Sequence, residues 1–257
     1  MMKKIIIISY LLLISHFLLY ANAQTNEEPI QLDAKQEDIS LTDNIAIAKA
    51  QVERYPDNPE AHFNLAIALS RTSLVEEAIK ELSRTKKLIR KPENKDLIDK
   101  KITEFQDFLK NDPSATNVRY RLAFAYYLKS YFLVKEQKKA EKKDKDNQAS
   151  VFDSDKLYIE TKDPAIKKNL ELSIQNFKEL LETNPRDIWA KVYLAFILAE
   201  QFNDIEQAKR LWHEALKQDP KNPAPHFFIG ELHIKEGDLK EGFIELAQAL
   251  LLRSQGY

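Results

Sequence analysis

Apolar residues recur at helical spacing from Thr42 onward, as in Ile45, Ala48, Val52 and Tyr55. A recurrence every three or four residues places such side chains on one face of an α-helix. No segment of the sequence alternates apolar and polar residues in the manner of a strand. The pattern therefore predicts an all-α fold.

Prolines interrupt the helical pattern at regular intervals, several of them directly after asparagine or aspartate. Proline fits the first turn of a helix but not its interior, because it lacks an N–H group and clashes with the preceding turn. The interruptions therefore predict short helical hairpins rather than a few long helices. They fall at Pro56, Pro59, Pro113, Pro185, Pro220 and Pro223.

The chain also repeats itself. The motif Asn-Pro-x-x-His-Phe at residues 58–63 returns at residues 222–227, each time at the start of a predicted helix. A second set of positions aligns at a constant offset of 34 residues: Ala208, Trp212, Ala215 and Pro220 with Gly242, Leu246, Ala249 and Ser254. A period of about 34 residues is that of the tetratricopeptide repeat, a helix-turn-helix unit.

The repeats carry further features of that family, which has leucine followed by a small residue in its first helix and Ala-x-x-x-aromatic in its second. Leu194-Ala195 and Ala208 with Trp212 follow this pattern, and Leu65-Ala66 begins a similar unit. The chain thus resembles the tetratricopeptide repeat family over roughly residues 43 to 90, 114 to 129 and 164 to 254. The resemblance implies a tetratricopeptide-like α-solenoid of about four helix-turn-helix repeats with one long insertion.

This organisation predicts five segments. Residues 1–23 are a signal peptide, 24–40 a flexible leader, 41–130 the N-terminal helical repeats, 131–163 a charged insertion and 164–257 the C-terminal tetratricopeptide repeats. In the insertion, ten of the twelve residues from Lys135 to Asp146 are charged, which predicts a solvated helical extension or disorder. A further helix is predicted over Asn94 to Lys110, without an assignable partner helix.

The first residues have the composition of an export signal. Lys3 and Lys4 precede 16 mainly apolar residues, and Ala21-Asn22-Ala23 supplies the small-x-small pattern of a cleavage site. We therefore expect an exported protein, periplasmic or secreted. About 20 apolar residues are needed to span a bilayer, and this run is shorter, so cleavage is favoured. The alternative is an uncleaved anchor that holds a structural assembly factor at the membrane.

Composition excludes several kinds of chemistry. The chain has no cysteine and only four glycines, the first of them Gly230. Over most of its length it therefore lacks a glycine-rich phosphate-binding loop, and it lacks disulfides and cysteine-bound metal. Its net charge of −1 does not favour a nucleic-acid partner. We predict no enzyme activity, no catalytic or metal-binding residue and no cofactor.

A metal-dependent enzyme is the less favoured alternative. His226 and His233 lie seven residues apart on one predicted helix face, with Glu231 nearby. No His-Glu-x-x-His motif accompanies them. Both histidines also occupy positions at which the family packs aromatic residues between helices, so packing is the favoured interpretation.

The family resemblance implies a partner-binding surface on the concave face, which the first helix of each repeat lines. Carried over residue by residue, this surface consists mostly of apolar and aromatic side chains, and it predicts a protein or peptide partner with micromolar affinity. The predicted partner-binding residues are Phe63, Ile67, Tyr120, Phe124, Tyr127, Trp189, Val192, Phe196, Phe227, Glu231 and Ile234.

The last predicted helix is unusually apolar, with Ala247, Ala249 and the run Leu250 to Leu252. Solenoids generally end in a helix with a polar outer face. The sequence therefore predicts either self-association through the C-terminal hairpin or docking on another protein, unless local side chains cover this face.

Overall fold

The computed structural model describes residues 41–144 and 163–254. In these two ranges the regular secondary structure consists of ten α-helices and one short 3₁₀ turn at Pro92–Asn94, and the predicted all-α solenoid is confirmed. The helices are α1 (Leu41–Arg54), α2 (Pro59–Ser70), α3 (Val75–Ile89), α4 (Leu97–Asn111), α5 (Thr116–Asp144), α6 (Pro164–Thr183), α7 (Ile188–Phe202), α8 (Ile205–Gln218), α9 (Pro223–Glu236) and α10 (Leu239–Ser254). Within this part of the chain, none of the helices is long and apolar enough to cross a membrane.

Three helices begin with the same local arrangement, a polar cap followed by proline. The side chain of Asn58 accepts a hydrogen bond from the backbone N–H of Glu60 at 2.8 Å, and Asn222 does the same for Ala224 at 3.0 Å. Asp163 caps α6 through the N–H of Ala165. Such a cap satisfies an otherwise unpaired N–H group and contributes about 1 kcal/mol. The Asn-Pro pairs therefore mark helix starts for a physical reason.

Consecutive helices pair into four antiparallel hairpins: α2 with α3, α5 with α6, α7 with α8, and α9 with α10. Helix α1 packs on α2. Helix α4, which the sequence predicted without a partner, packs on α5. Its buried Lys101 also reaches across to Glu60 of α2, with Nζ 2.5 Å from the carboxylate. Helix α4 thus fills the space between the first and second hairpins.

Helix α5 is longer than the first helices of other hairpins. It has 29 residues, against 12 in α2 and 14 in α9, and its last part contains the start of the predicted insertion. Tyr131 and Val134 are buried, although the sequence assigned them to the insertion, so the packed part of α5 extends past residue 130. The charged run continues the helix as far as Asp144. The rest of the predicted insertion, the signal peptide and the leader lie outside the described residues.

The last hairpin crosses at two glycines. A Cβ atom built on Gly230 would lie 3.0 Å from the carbonyl oxygen of Gly242 and 2.8 Å from Leu246 Cγ. One built on Gly242 would lie 2.6 Å from Ile234 Cγ1 and 3.1 Å from the carbonyl oxygen of Gly230. The distances of 2.6 and 2.8 Å are shorter than real Cβ atoms show, and those to the carbonyl oxygens are tighter than most Cβ contacts. Small residues are therefore needed because the backbones of α9 and α10 nearly touch.

Replacement of Gly242 by alanine should destabilise the protein. Overpacking at a rigid contact costs about 1–3 kcal/mol, which outweighs the gain of about 1 kcal/mol in helix propensity. We expect a melting temperature lower by about 4 °C, measured by circular dichroism.

Gly237 provides a comparison, because a side chain there is strained by the backbone alone. Its φ is 88°, a conformation that L-residues rarely adopt, and no atom lies within 4 Å of the position that a Cβ would take. A melting temperature for Gly242→Ala equal to or above that of the parent would contradict the close crossing.

Candidate functional site

Most of the predicted concave-face residues are part of the core. Six of the eleven are between 0 and 7 % exposed and cannot contact a partner in this arrangement: Phe63, Ile67, Tyr120, Phe124, Tyr127 and Val192. The expectation that they form an accessible surface is therefore corrected. Whether the other five contact a partner stays a prediction.

Aromatic side chains pack against one another across successive hairpins. Phe124 of α5 lies edge-on to Tyr193 of α7, with ring centroids 4.9 Å apart, and Tyr193 in turn lies 6.2 Å from Phe228 of α9. Phe228 stacks on Trp212 of α8. Such pairs contribute about 0.5–1.5 kcal/mol each beyond the burial of area. The aromatic residues of the first helices thus stabilise the packing of each hairpin on the next.

The first hairpin also covers part of this face. The guanidinium of Arg71, just after α2, lies over the ring of Tyr120 at 4.6 Å and donates a hydrogen bond to Asn117. The ammonium of Lys86 on α3 lies 4.0 Å from the ring centre of Tyr131. Cations at these distances are attracted by the negative faces of aromatic rings. The α2–α3 hairpin therefore packs on α5 through basic side chains.

The same hairpin reaches the third and fourth hairpins. The hydroxyl of Tyr193 on α7 donates a hydrogen bond of 2.6 Å to the carbonyl oxygen of Ser70, 123 residues earlier, and this bond is buried. Arg253 near the end of α10 donates a hydrogen bond of 2.7 Å to Glu76 and another to Glu77 at the start of α3. The concave face is thus partly filled by the chain's own first hairpin.

A cleft of about 250 Å³ remains open where the α2–α3 turn faces the last hairpin. We call it the C-terminal cleft. Its apolar lining is framed by carboxylates and one guanidinium. Phe227 and Glu231, both predicted from the sequence, belong to it. The lining residues are Ser73, Glu76, Pro223, Phe227, Glu231, Leu246, Ala249, Leu250 and Arg253.

The other three accessible predicted residues lie elsewhere. Trp189, Phe196 and Ile234 are partly buried and are not among the lining residues of the cleft. Phe196 packs against Tyr127, with ring centroids 5.9 Å apart, and against Phe228 at 5.2 Å. The structure therefore brings together Phe227 and Glu231 but does not gather all eleven residues in one site.

The two copies of the Asn-Pro-x-x-His-Phe motif perform the same task. Nδ1 of His62 lies 2.5 Å from the carboxylate of Glu81, and Nδ1 of His226 lies 2.6 Å from that of Glu245. In both cases the histidine joins the first helix of a hairpin to its second helix.

In residues 41–144 and 163–254, no group of three histidines and acids has a geometry suited to a metal ion.

A larger cavity of about 620 Å³ lies between the start of α4 and the extended part of α5. Its lining combines apolar residues, among them Ile98, Phe132 and Leu133, with lysines, an arginine and three acidic residues. Sequence reasoning missed this cavity because α4 had no assigned partner helix. The length of α5 beyond the other first helices was the available signal.

Comparison with protein-family models finds one match, to the family described as tetratricopeptide repeat, at residues 45–91 and 193–257. The two matched ranges contain the first hairpin and the last part of the chain, including the C-terminal cleft. Comparison with curated proteins finds no match.

Solved structures resemble the chain at low sequence identity. MamA 41-end from Desulfovibrio magneticus RS-1 is 15% identical with a TM-score of 0.39, covering 92% of this chain and 94% of that one. The thermophilic TPR protein TTC0263 of Thermus thermophilus is 16% identical, with a TM-score of 0.46 and coverage of 84% and 88%. Human IFIT1, solved as a dimer with m7Gppp-AAAA, is 16% identical with a TM-score of 0.46, covering 81% of this chain and 45% of that one.

Alkaline pH should unfold the protein, because burial raises the pKa of Tyr120, Tyr127 and Tyr193 above the usual value of a tyrosine. The unfolded chain binds these protons less tightly than the folded chain. Their contribution to stability is therefore complete below about pH 10 and is lost as the pH rises above it. We expect tyrosinate absorbance from these residues to appear together with the loss of helical circular dichroism.

Tyr127→Phe is the matched variant, since it removes one buried group that must ionise. Its alkaline midpoint should move to higher pH. Ionisation of the buried tyrosines with the helical signal intact would contradict their placement in the core.

Proposed function

Because the chain belongs to the tetratricopeptide repeat family, whose fold supports protein–protein interaction, we propose that it is an exported scaffold that binds a peptide or amphipathic helix of a protein partner. The binding surface is the C-terminal cleft together with the accessible concave-face residues beside it. The single observation that carries this proposal is the open apolar cleft at Phe227.

The size of the cleft favours the side chain of a peptide as its occupant. Pockets for small molecules and cofactors generally measure about 300–1,000 Å³, and this cleft is smaller at about 250 Å³. Protein interfaces, by contrast, depend on a few apolar anchors that enter pockets of this kind. A leucine or phenylalanine of the partner would contact Phe227 and Leu246 at the floor.

Charges at the rim would orient the partner. Glu231 is exposed, so its carboxylate can accept hydrogen bonds from a basic residue of a ligand. Arg253 is already held by Glu76 and Glu77 on the opposite wall. The cleft therefore favours a peptide that combines an apolar anchor with a nearby lysine or arginine. A few anchors of this size support micromolar affinity once the cost of association is subtracted.

We propose no catalytic role. The enzyme alternative required His226 and His233 to act together on a metal, whereas the contact of His226 with Glu245 repeats that of His62 with Glu81 between paired helices. The role in packing that the sequence favoured for His226 agrees with this contact.

The exported protein should begin at Gln24. The signal peptidase pattern at Ala21-Asn22-Ala23 places the cleavage site there. N-terminal sequencing and intact mass of the protein from the envelope or medium of the producing cell will measure this. A chain that retains residues 1–23 in the membrane fraction would instead support the anchored assembly factor.

The cleft should capture its partner through Glu231. A photo-cross-linking amino acid at this exposed position, introduced into the full chain, should form a covalent adduct with one envelope protein. We expect Phe227→Ala to lower the yield of that adduct at least tenfold, because an apolar anchor contributes about 2 kcal/mol or more.

Ile79→Ala is the control, since it truncates an apolar side chain at an exposed site of α3 outside the cleft. Circular dichroism should show that both variants are folded. If Phe227→Ala and Ile79→Ala give the same adduct yield as the parent, the cleft does not bind that partner.

A further inference from the structure

One face of α10 is apolar and open to solvent. Five large side chains on it are at least half exposed, and Ala247 lies exposed among them. Together they present an apolar area on the order of 500 Å², which is at the upper end of what a monomeric protein normally exposes. We call this surface the exposed α10 face. It consists of Leu239, Phe243, Ile244, Ala247, Leu250 and Leu251.

Repeat packing does not explain this surface. Helix α8 occupies the equivalent place in the preceding repeat, 34 residues earlier. Where α10 has Phe243, Ile244 and Leu251, α8 has charged residues, and where α10 has Ala247, α8 has histidine. The corresponding residues of α8 are Lys209, Arg210, Lys217 and His213. Helix α10 is thus apolar at four positions where α8 is polar, whereas at the other two positions of the face α8 is also apolar, with Ile205 and Leu216.

The exposed α10 face is symmetric about Ala247. Phe243 and Ile244 lie four and three residues before it, and Leu250 and Leu251 lie three and four residues after it. Two antiparallel copies centred on Ala247 would therefore place Phe243 against Leu251 and Ile244 against Leu250. A two-fold contact requires a surface that complements itself in this way.

The spacing of the seam positions and the size of the central residue agree with two helices packed along one seam. The alternating spacing of three and four residues from Lys240 to Ser254 is that of two helices packed along a common seam. Alanine at the centre allows the two backbones to approach closely.

From these observations we propose that the chain forms a two-fold symmetric dimer in which two exposed α10 faces pack antiparallel across Ala247. This goes beyond the proposed binding of a partner in the C-terminal cleft, which shares Leu250 with the exposed α10 face but is lined by neither Ile244 nor Ala247. A dimer of this kind would bury about 1,000 Å² in total, near the lower limit for a specific interface. We expect a weak dimer whose population rises with protein concentration.

Cysteine cross-linking of the full chain tests the geometry directly, because the sequence contains no cysteine of its own. Helices packed about 8–10 Å apart bring Cα atoms on the two-fold axis to about 4–5 Å, within the range that a disulfide spans. Ala247→Cys should form a disulfide-linked dimer under mild oxidation. His213→Cys, the equivalent exposed position of α8, should form at least tenfold less.

Lys240→Cys distinguishes the direction of the pair. It lies on the same seam, but in an antiparallel dimer the two introduced thiols are about 21 Å apart, whereas a parallel dimer would bring them together. We expect no cross-link from this variant. A cross-link at Lys240→Cys as fast as at Ala247→Cys would overturn the antiparallel arrangement.

Sedimentation equilibrium of the cysteine-free chain provides the second measurement. We expect a monomer–dimer equilibrium that Ile244→Glu weakens at least tenfold and that Arg210→Glu, the matched change on α8, leaves unaltered. A monomer at all concentrations would overturn the proposal. Self-association that survives Ile244→Glu would also overturn the proposal, because another part of the chain, such as the apolar residues 5–20, would then be responsible for it.

Discussion

The close approach of the two helices within each hairpin is the constraint on which the structure depends. At the last hairpin the backbones meet at Gly230 and Gly242, where a single added Cβ would come within 3.0 Å of other atoms or closer. Ala208 of α8, at the position equivalent to Gly242, is completely buried. Small residues at these crossings let the larger side chains between hairpins interlock. Small residues therefore recur 34 positions apart because each hairpin needs a close helix crossing at the same place.

The aromatic side chains of the first helices show why a concave face is hard to predict. Phe124 and Tyr127 stand at the positions that line a groove in this family, and a groove and a core require the same apolar residues there. What decides between them is whether another element covers the face. Here the first hairpin does so, and the bond from Tyr193 to Ser70 joins residues 123 positions apart. No local pattern in one sequence reports a contact of that length.

Local structure, by contrast, could be predicted from the sequence. Asparagine before proline predicted the starts of α2 and α9, because the side chain caps the helix and proline fits its first turn. The repeated motif led to packing as the favoured interpretation of His226, and its bond to Glu245 repeats that of His62 to Glu81. The packing partner of α4 is α5, which was not assigned to it because α5 also forms the second hairpin with α6. The cavity beside α4 was missed for the same reason.

The partly filled concave face also explains where an open cleft remains. Since the walls of the C-terminal cleft come from Ser73 and Glu76 on one side and from α9 and α10 on the other, the cleft exists only while the first hairpin stays docked. Arg253 supports that docking by joining α10 to the start of α3. A ligand that contacts both walls must therefore stabilise the docked hairpin by its own binding free energy. Residues from the two ends of the described solenoid thus form one cleft, although they lie far apart in sequence.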